Sequence, residues 1–414
     1  MEEHPRMKLI QLISLGLWTT PFIFIHGRGG LRAPKEYMCL GVCMAIGLLA
    51  VYRGEIKKFS NQWALLLVLW FMANIICMPK PAIKFFGENA AGFWVWKPFT
   101  FGVIYLLAVI AISSMEINQK SWNLLVKCFI YPAFLTSIYI FIQAMGLDQW
   151  FAYNLKSNPI YTTCLAKGTC VTKAHLGGFV GHPTLVSPFI AMCVPFALYS
   201  KKYFIVSAMI VAVIMTQSMV AITALIVTIF GYLVLMVNKK FIWVGVTILF
   251  SIILSLINPI TRTVIVDVVN TESSGRFVRW VQIIDDWKTP LKENHQLQTI
   301  TGRGAGSFKY VFAPRTQTDY REAHNDYLEI LYNFGIGGLF LFIMAIFYMV
   351  RNVWSDIIEH WTDEGPKVVF LSVMCISICA LGTFVWQLGT TAFYTLILVG
   401  LLHNQEFLKG VNYE

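Results

Sequence analysis

Between Lys201-Lys202 and Lys239-Lys240 the sequence runs for 36 residues, nearly all of them apolar. One helix of that length would measure about 54 Å at 1.5 Å per residue. A bilayer core is only about 30 Å thick and is crossed by about 20 apolar residues. The polar triplet Thr216-Gln217-Ser218 lies near the middle, so the spacing predicts two short helices, 203–216 and 219–237, that return the chain to the side it left. Runs of comparable character recur at 8–26, 36–52, 62–78, 98–114, 122–145, 184–200, 241–258, 325–350, 367–384 and 388–403. The expected fold class is an all-α integral membrane protein of about 12 transmembrane helices. Residues 1–414 are expected to form a single transmembrane domain with one long structured extracytoplasmic loop, 259–324.

Composition agrees. Hydrophobic residues make up 57% of the chain and charged residues 13%, against about 25% charged in a soluble domain. Such a chain cannot cover itself with polar surface, and membrane lipids are its expected solvent. The net charge of +10 sits in the loops, and no nucleic-acid-binding pattern accompanies it. The first apolar run, Leu9 to Ile25, lacks a small-x-small cleavage pattern and is read as the first span rather than a signal peptide.

Two lysine pairs on one face of the membrane make that face cytoplasmic by the positive-inside rule. Both termini then fall inside, and the segments 146–183 and 259–324 fall outside. Nine of the 32 Lys and Arg residues lie in 259–324, but long loops translocate largely regardless of charge. Cys39 with Cys43 and Cys375 with Cys379 stand four apart in apolar runs and read as small buried side chains. Cys164 and Cys170 differ, because they lie in a polar loop assigned to the outside, where oxidation is sustained. They are the disulfide candidates. No Cys/His spacing suggests a metal, and no cofactor is expected.

Polar functional groups are densest from Arg315 to Glu329, RTQTDYREAHNDYLE, ending where the run 325–350 begins. Asn325 and Asp326 suit a helix start, as an Asx cap and an acidic first turn. Upstream, the piece from Gly275 to Trp287 has helical character, with Phe277, Trp280, Ile283, Ile284 and Trp287 on one face. It suits a helix on the bilayer surface or over a cavity, and it places Arg276 and Arg279 together. Arg303 stands in the glycine-rich string TGRGAGSF. Singly, these arginines have a plain reading as contacts to lipid phosphates. Jointly with Arg321, they form a basic cluster whose forked donors match a lipid-linked diphosphate.

The same residues carry a resemblance. AHNDYLEILYNFGIGGL at 323–339, SGRFVRW at 274–280, GRGAGSF at 302–308 and GHPTLVSPFIAMCVPFAL at 181–198 occur in an order and spacing that resemble the O-antigen ligase and polymerase superfamily of bacterial envelope glycosyltransferases. The agreement extends over roughly residues 175–400, and the first half of the chain agrees only in hydropathy.

The resemblance implies a metal-independent enzyme that moves a glycan from undecaprenyl diphosphate to an acceptor hydroxyl on a glycan or lipid A-core. It implies a multi-pass protein of the bacterial inner membrane with its active site facing the periplasm. His324 would be the catalytic or acceptor-orienting histidine. Arg276 would bind the substrate diphosphate with Arg279, Arg303 and Arg321, and Asn325 and Glu322 would support the site. One departure is Met219, where the family commonly has an arginine after Thr-x-Ser; Arg279 or Arg303 would substitute. Neighbouring guanidinium groups disfavour imidazolium, which would keep His324 neutral as a base. Ligase, polymerase and protein O-glycosyltransferase share these motifs. The rival from another class is a transporter or flippase of an anionic lipid-linked substrate, which calls for ionisable residues near midplane and related halves; neither stands out.

The topology predicts opposite labelling of two introduced cysteines. In a cysteine-free background on intact spheroplasts, an impermeant thiol reagent should label Ser274→Cys and spare Asn412→Cys. The reverse pattern would overturn the orientation.

Overall fold

A computed structural model of the chain describes residues 3–22, 33–52, 104–105, 107–145, 147, 160–164, 170–174, 176–180, 183–237, 276–292, 296–304, 307–308, 312, 323–359, 364–383, 385 and 389–408. The expected spans 62–78 and 241–258 lie outside these residues, as do Arg321 and Glu322.

The helices are α1 (Glu3–Thr19), α2 (Ala33–Tyr52), α3 (Gln119–Ala144), α4 (Pro183–Tyr199), α5 (Tyr203–Met215), α6 (Met219–Tyr232), α7 (Arg276–Lys292), α8 (Gln296–Thr301), α9 (Asp326–Glu359), α10 (Glu364–Cys379), α11 (Gly389–Leu402) and α12 (Gln405–Leu408). A π-helical turn, Leu233–Val237, continues α6. Among the described residues, three stretches are long and apolar enough to cross a membrane: Gln119–Ala144, Met219–Met236 and Asp326–Met344. The turn expected between two short helices is found. Helix α5 ends at Met215, Gln217 takes a left-handed φ of 56°, and α6 starts at Met219. Thr216 Oγ1 donates back to the carbonyl of Val213 at 2.6 Å, satisfying its own buried hydroxyl.

Described contacts cluster into two compact units, one drawn from 1–62, 101–229 and 347–414 and the other from 63–100 and 230–346. The first is built on α3 and α4, which pack together, with α1 and α5 against α3 and α10 against α4. Its centre is aromatic. Phe129 and Phe196 stack at 4.4 Å, and Tyr394 meets Phe129 and Phe189 edge-on at 5.2 and 4.9 Å. The Tyr394 hydroxyl donates to the carbonyl of Leu17, so the side-chain polar atom of this buried residue is satisfied. Asn404 closes the far end, its amide donating to the carbonyls of Ile112 and Met115 while its oxygen accepts from Phe407 N–H.

The second unit holds α7, α8 and the head of α9, and it contains the candidate chemistry.

One element departs from an all-helical chain. Within 146–183, β1 (Ile160–Cys164) and β2 (Cys170–Ala174) form an antiparallel hairpin in which Cys164 and Cys170 are cross-strand partners. Directly opposed antiparallel residues have Cα atoms about 4.5–5.5 Å apart, inside the span of about 4.4–6.8 Å that a disulfide bridges. A bond there would close a small ring and stabilise by at most about 2–3 kcal/mol. Peptide mapping without reductant should recover these two cysteines linked. Recovery of both as alkylated free thiols would end the idea.

Candidate functional site

Helix α7 presents an apolar face inward. Ile283 is buried in a cluster with Phe308, Phe312, Ala323 and Tyr332, and Trp280, Trp287 and Leu328 pack around it. Phe308, Phe312 and Tyr332 hold one another, with the phenylalanines stacked at 4.9 Å and Tyr332 edge-on to both. Of the face expected to lie on the bilayer or over a cavity, Trp280, Ile283 and Trp287 thus meet the chain's own aromatic residues.

Two glycines bring the loop after α8 against α9. Gly335 interrupts α9 with φ 68° and ψ −172°, and Gly302 sits at φ 79°. Both values lie where a side chain is strained and glycine is not. The two backbones touch. A Cβ on Gly302 would overlap the carbonyl of Asn333, and one on Gly335 would overlap the carbonyl of Ile300. The interruption frees helix carbonyls, which the loop then satisfies. Arg303 N–H donates to Tyr332 C=O at 3.4 Å, and Gly304 N–H donates to Asn333 C=O at 2.9 Å. The Asn333 side chain completes the dock by accepting from Phe308 N–H at 2.9 Å.

This dock carries Arg303 to α7. Its Nη2 donates to the backbone carbonyl of Asp286 at 2.7 Å and lies 3.5 Å from that residue's Oδ2. The guanidinium also lies over the Tyr332 ring, 5.1 Å from its centroid. The Tyr332 hydroxyl donates to Asp286 Oδ2 at 2.7 Å. A buried charge needs such a partner, and Arg303 has it within the unit.

His324 stands half-buried immediately before α9, with a left-handed φ of 52°. That conformation costs a non-glycine residue about 1–2 kcal/mol, although His and Asn adopt it more readily than most. Its neighbours fix it. Asn325 caps α9, accepting from Leu328 N–H at 3.1 Å, as its residue type led us to expect. Ala323 is held on both sides: its carbonyl accepts from Trp280 Nε1 at 3.1 Å, and its N–H donates to Glu329 Oε2 at 3.4 Å.

The described candidates thus share one unit. Arg276 is the first residue of α7, Arg279 is buried one turn on, and Arg303 is committed to Asp286. Sequence reasoning passed over Trp280, Glu329, Asp286, Tyr332 and Asn333 as site residues. Trp280 and Tyr332-Asn333 lie inside quoted motifs, so a signal existed for them; Asp286 offered none.

An apolar helical protein whose candidate histidine and arginines fall in one compact unit fits the broad class of multi-pass membrane proteins. Residues 204–343 match the family model described as O-antigen ligase, Wzy_C. The matched segment contains every one of these site residues, and it is similar to the O-antigen ligase and polymerase superfamily that the motifs had indicated. The match supports a multi-pass bacterial membrane protein engaged in glycan transfer in general terms. A comparison with curated proteins found no match.

The glycine dock predicts a sharp sensitivity. Gly302→Ala and Gly335→Ala should each cost at least about 3 kcal/mol, through backbone overlap and positive φ together. Gly41→Ala, inside α2 where an added Cβ meets open space, should keep or slightly raise stability. Thermal midpoints in detergent check this, and three equal midpoints would show that the dock is dispensable.

Proposed function

We propose that the protein transfers a glycan from undecaprenyl diphosphate to an acceptor hydroxyl at the periplasmic face of the inner membrane, as an O-antigen ligase or polymerase built on about twelve spans. The observation that carries this reading is His324, held in a left-handed conformation at the head of α9 within the segment matching the O-antigen ligase family. Strained backbone at a titratable residue is the pattern expected where geometry serves chemistry.

In this reading the acceptor oxygen attacks the anomeric carbon of the donor sugar while neutral His324 takes the hydroxyl proton. The bond from that carbon to the diphosphate oxygen breaks, and undecaprenyl diphosphate leaves with the electron pair. Arg276 receives the growing charge through its forked donors. Its place as the first residue of α7 adds the positive end of the helix dipole. Arg279 is the second ligand. Arg303, already balanced by Asp286, serves by holding the loop to α7. Asn325 supports by capping α9, and the acceptor is a glycan chain or a lipid A-core sugar.

Reconstituted transfer with purified polyprenyl-diphosphate glycan and acceptor tests the assignment, alongside donor binding. His324→Ala and His324→Asn should insert and bind donor yet lose about 10²–10⁴-fold in rate. Asn is the more exacting control, because it tolerates the left-handed backbone. Arg276→Lys should weaken donor binding despite its retained charge, since lysine offers a point donor in place of a fork. Normal turnover in well-expressed His324→Asn protein would sink the catalytic assignment.

A further inference from the structure

We propose that Trp280 is a positioning residue, which couples the diphosphate-binding helix α7 to the catalytic base by holding the peptide bond that leads into His324. This deepens the proposed function and rests on its reading of His324. The argument is geometric. The Trp280 indole N–H donates to the carbonyl of Ala323 at 3.1 Å, and that carbonyl belongs to the peptide unit whose nitrogen is His324's own. From the other side, Ala323 N–H donates to Glu329 Oε2 at 3.4 Å. Glu329 is buried one turn into α9, and Ala323 is fully buried. The residue preceding His324 is therefore fixed at both backbone groups, by one helix each.

Trp280 is placed to do this because its ring packs against the Ile283, Phe308, Phe312, Ala323 and Tyr332 cluster, which orients the indole. It follows Arg276 by four residues on α7, which puts both on the same side of the helix. A shift of α7 on diphosphate binding is transmitted to the Ala323 carbonyl through one hydrogen bond. Loss of that bond leaves the left-handed backbone at His324 held from α9 alone. Misplacement of a base by about 1 Å can cost about 10²-fold in rate. Donor affinity, which depends on the arginines, should not change.

The test uses the full chain in nanodiscs with polyprenyl-diphosphate glycan and acceptor. Trp280→Phe keeps an aromatic ring and removes the N–H. It is expected to lower kcat by about 10- to 100-fold with donor Kd and thermal midpoint near wild type. Placed on His324→Asn, the same substitution should have no further effect, because the bond acts only through the histidine. Glu329→Gln retains an acceptor for Ala323 N–H and should keep most activity, whereas Glu329→Ala should fall as Trp280→Phe does. Normal kcat in Trp280→Phe with an inactive His324→Asn overturns this inference alone. An active His324→Asn overturns the site reading and this inference with it. If Trp280→Phe does not fold, equal activities of Glu329→Gln and Glu329→Ala overturn the bracket.

Discussion

The contact between Gly302 and Gly335 governs the geometry of the second unit. A straight α9 would keep the carbonyls of Tyr332 and Asn333 inside its own hydrogen-bond ladder and leave the loop after α8 nothing to bind. Because Gly335 breaks the ladder, those carbonyls become acceptors for the N–H groups of Arg303 and Gly304. The loop then carries Arg303 to Asp286, and Tyr332 reaches the same carboxylate. Arginine, aspartate and tyrosine thereby lock α7 to α9. No side chain larger than hydrogen fits at either glycine, so the contact on which this lock rests is backbone against backbone.

Part of the charge within this unit is committed to structure. Arg303 meets a carboxylate, a backbone carbonyl and an aromatic face, so little of its charge is left for an outside anion. Arg276 opens a helix instead, where a ligand's negative charge is favoured by the dipole as well as the side chain. Arginines that look equivalent along the chain thus differ in place: Arg303 is held within the unit, and Arg276, the proposed diphosphate ligand, opens a helix.

Much of this was legible beforehand, for identifiable reasons. Apolar length forces a return within 203–237, and the polar triplet 216–218 marks where the turn falls. Periodicity marked the face of α7, and residue type marked Asn325 as a cap. What covers α7 was not legible, because Phe308 and Phe312 come from a stretch without periodic pattern. Gly335 lies in an apolar run that reads as uninterrupted helix, and nothing local distinguishes a tolerated glycine from a break. The Asp286 partnership joins residues far apart in the chain, beyond any local rule. The hairpin 160–174 was passed over because its strands are short and sit in a polar loop.

The interruption in α9 also bears on how the chain is made. Carbonyls released inside an apolar helix are tolerated in lipid only when protein satisfies them. The groups that do so here, at 303 and 304, precede α9 in the sequence. During synthesis they have therefore emerged before the break at Gly335 does. Chain order makes the partners of the open carbonyls available as soon as the break itself is made.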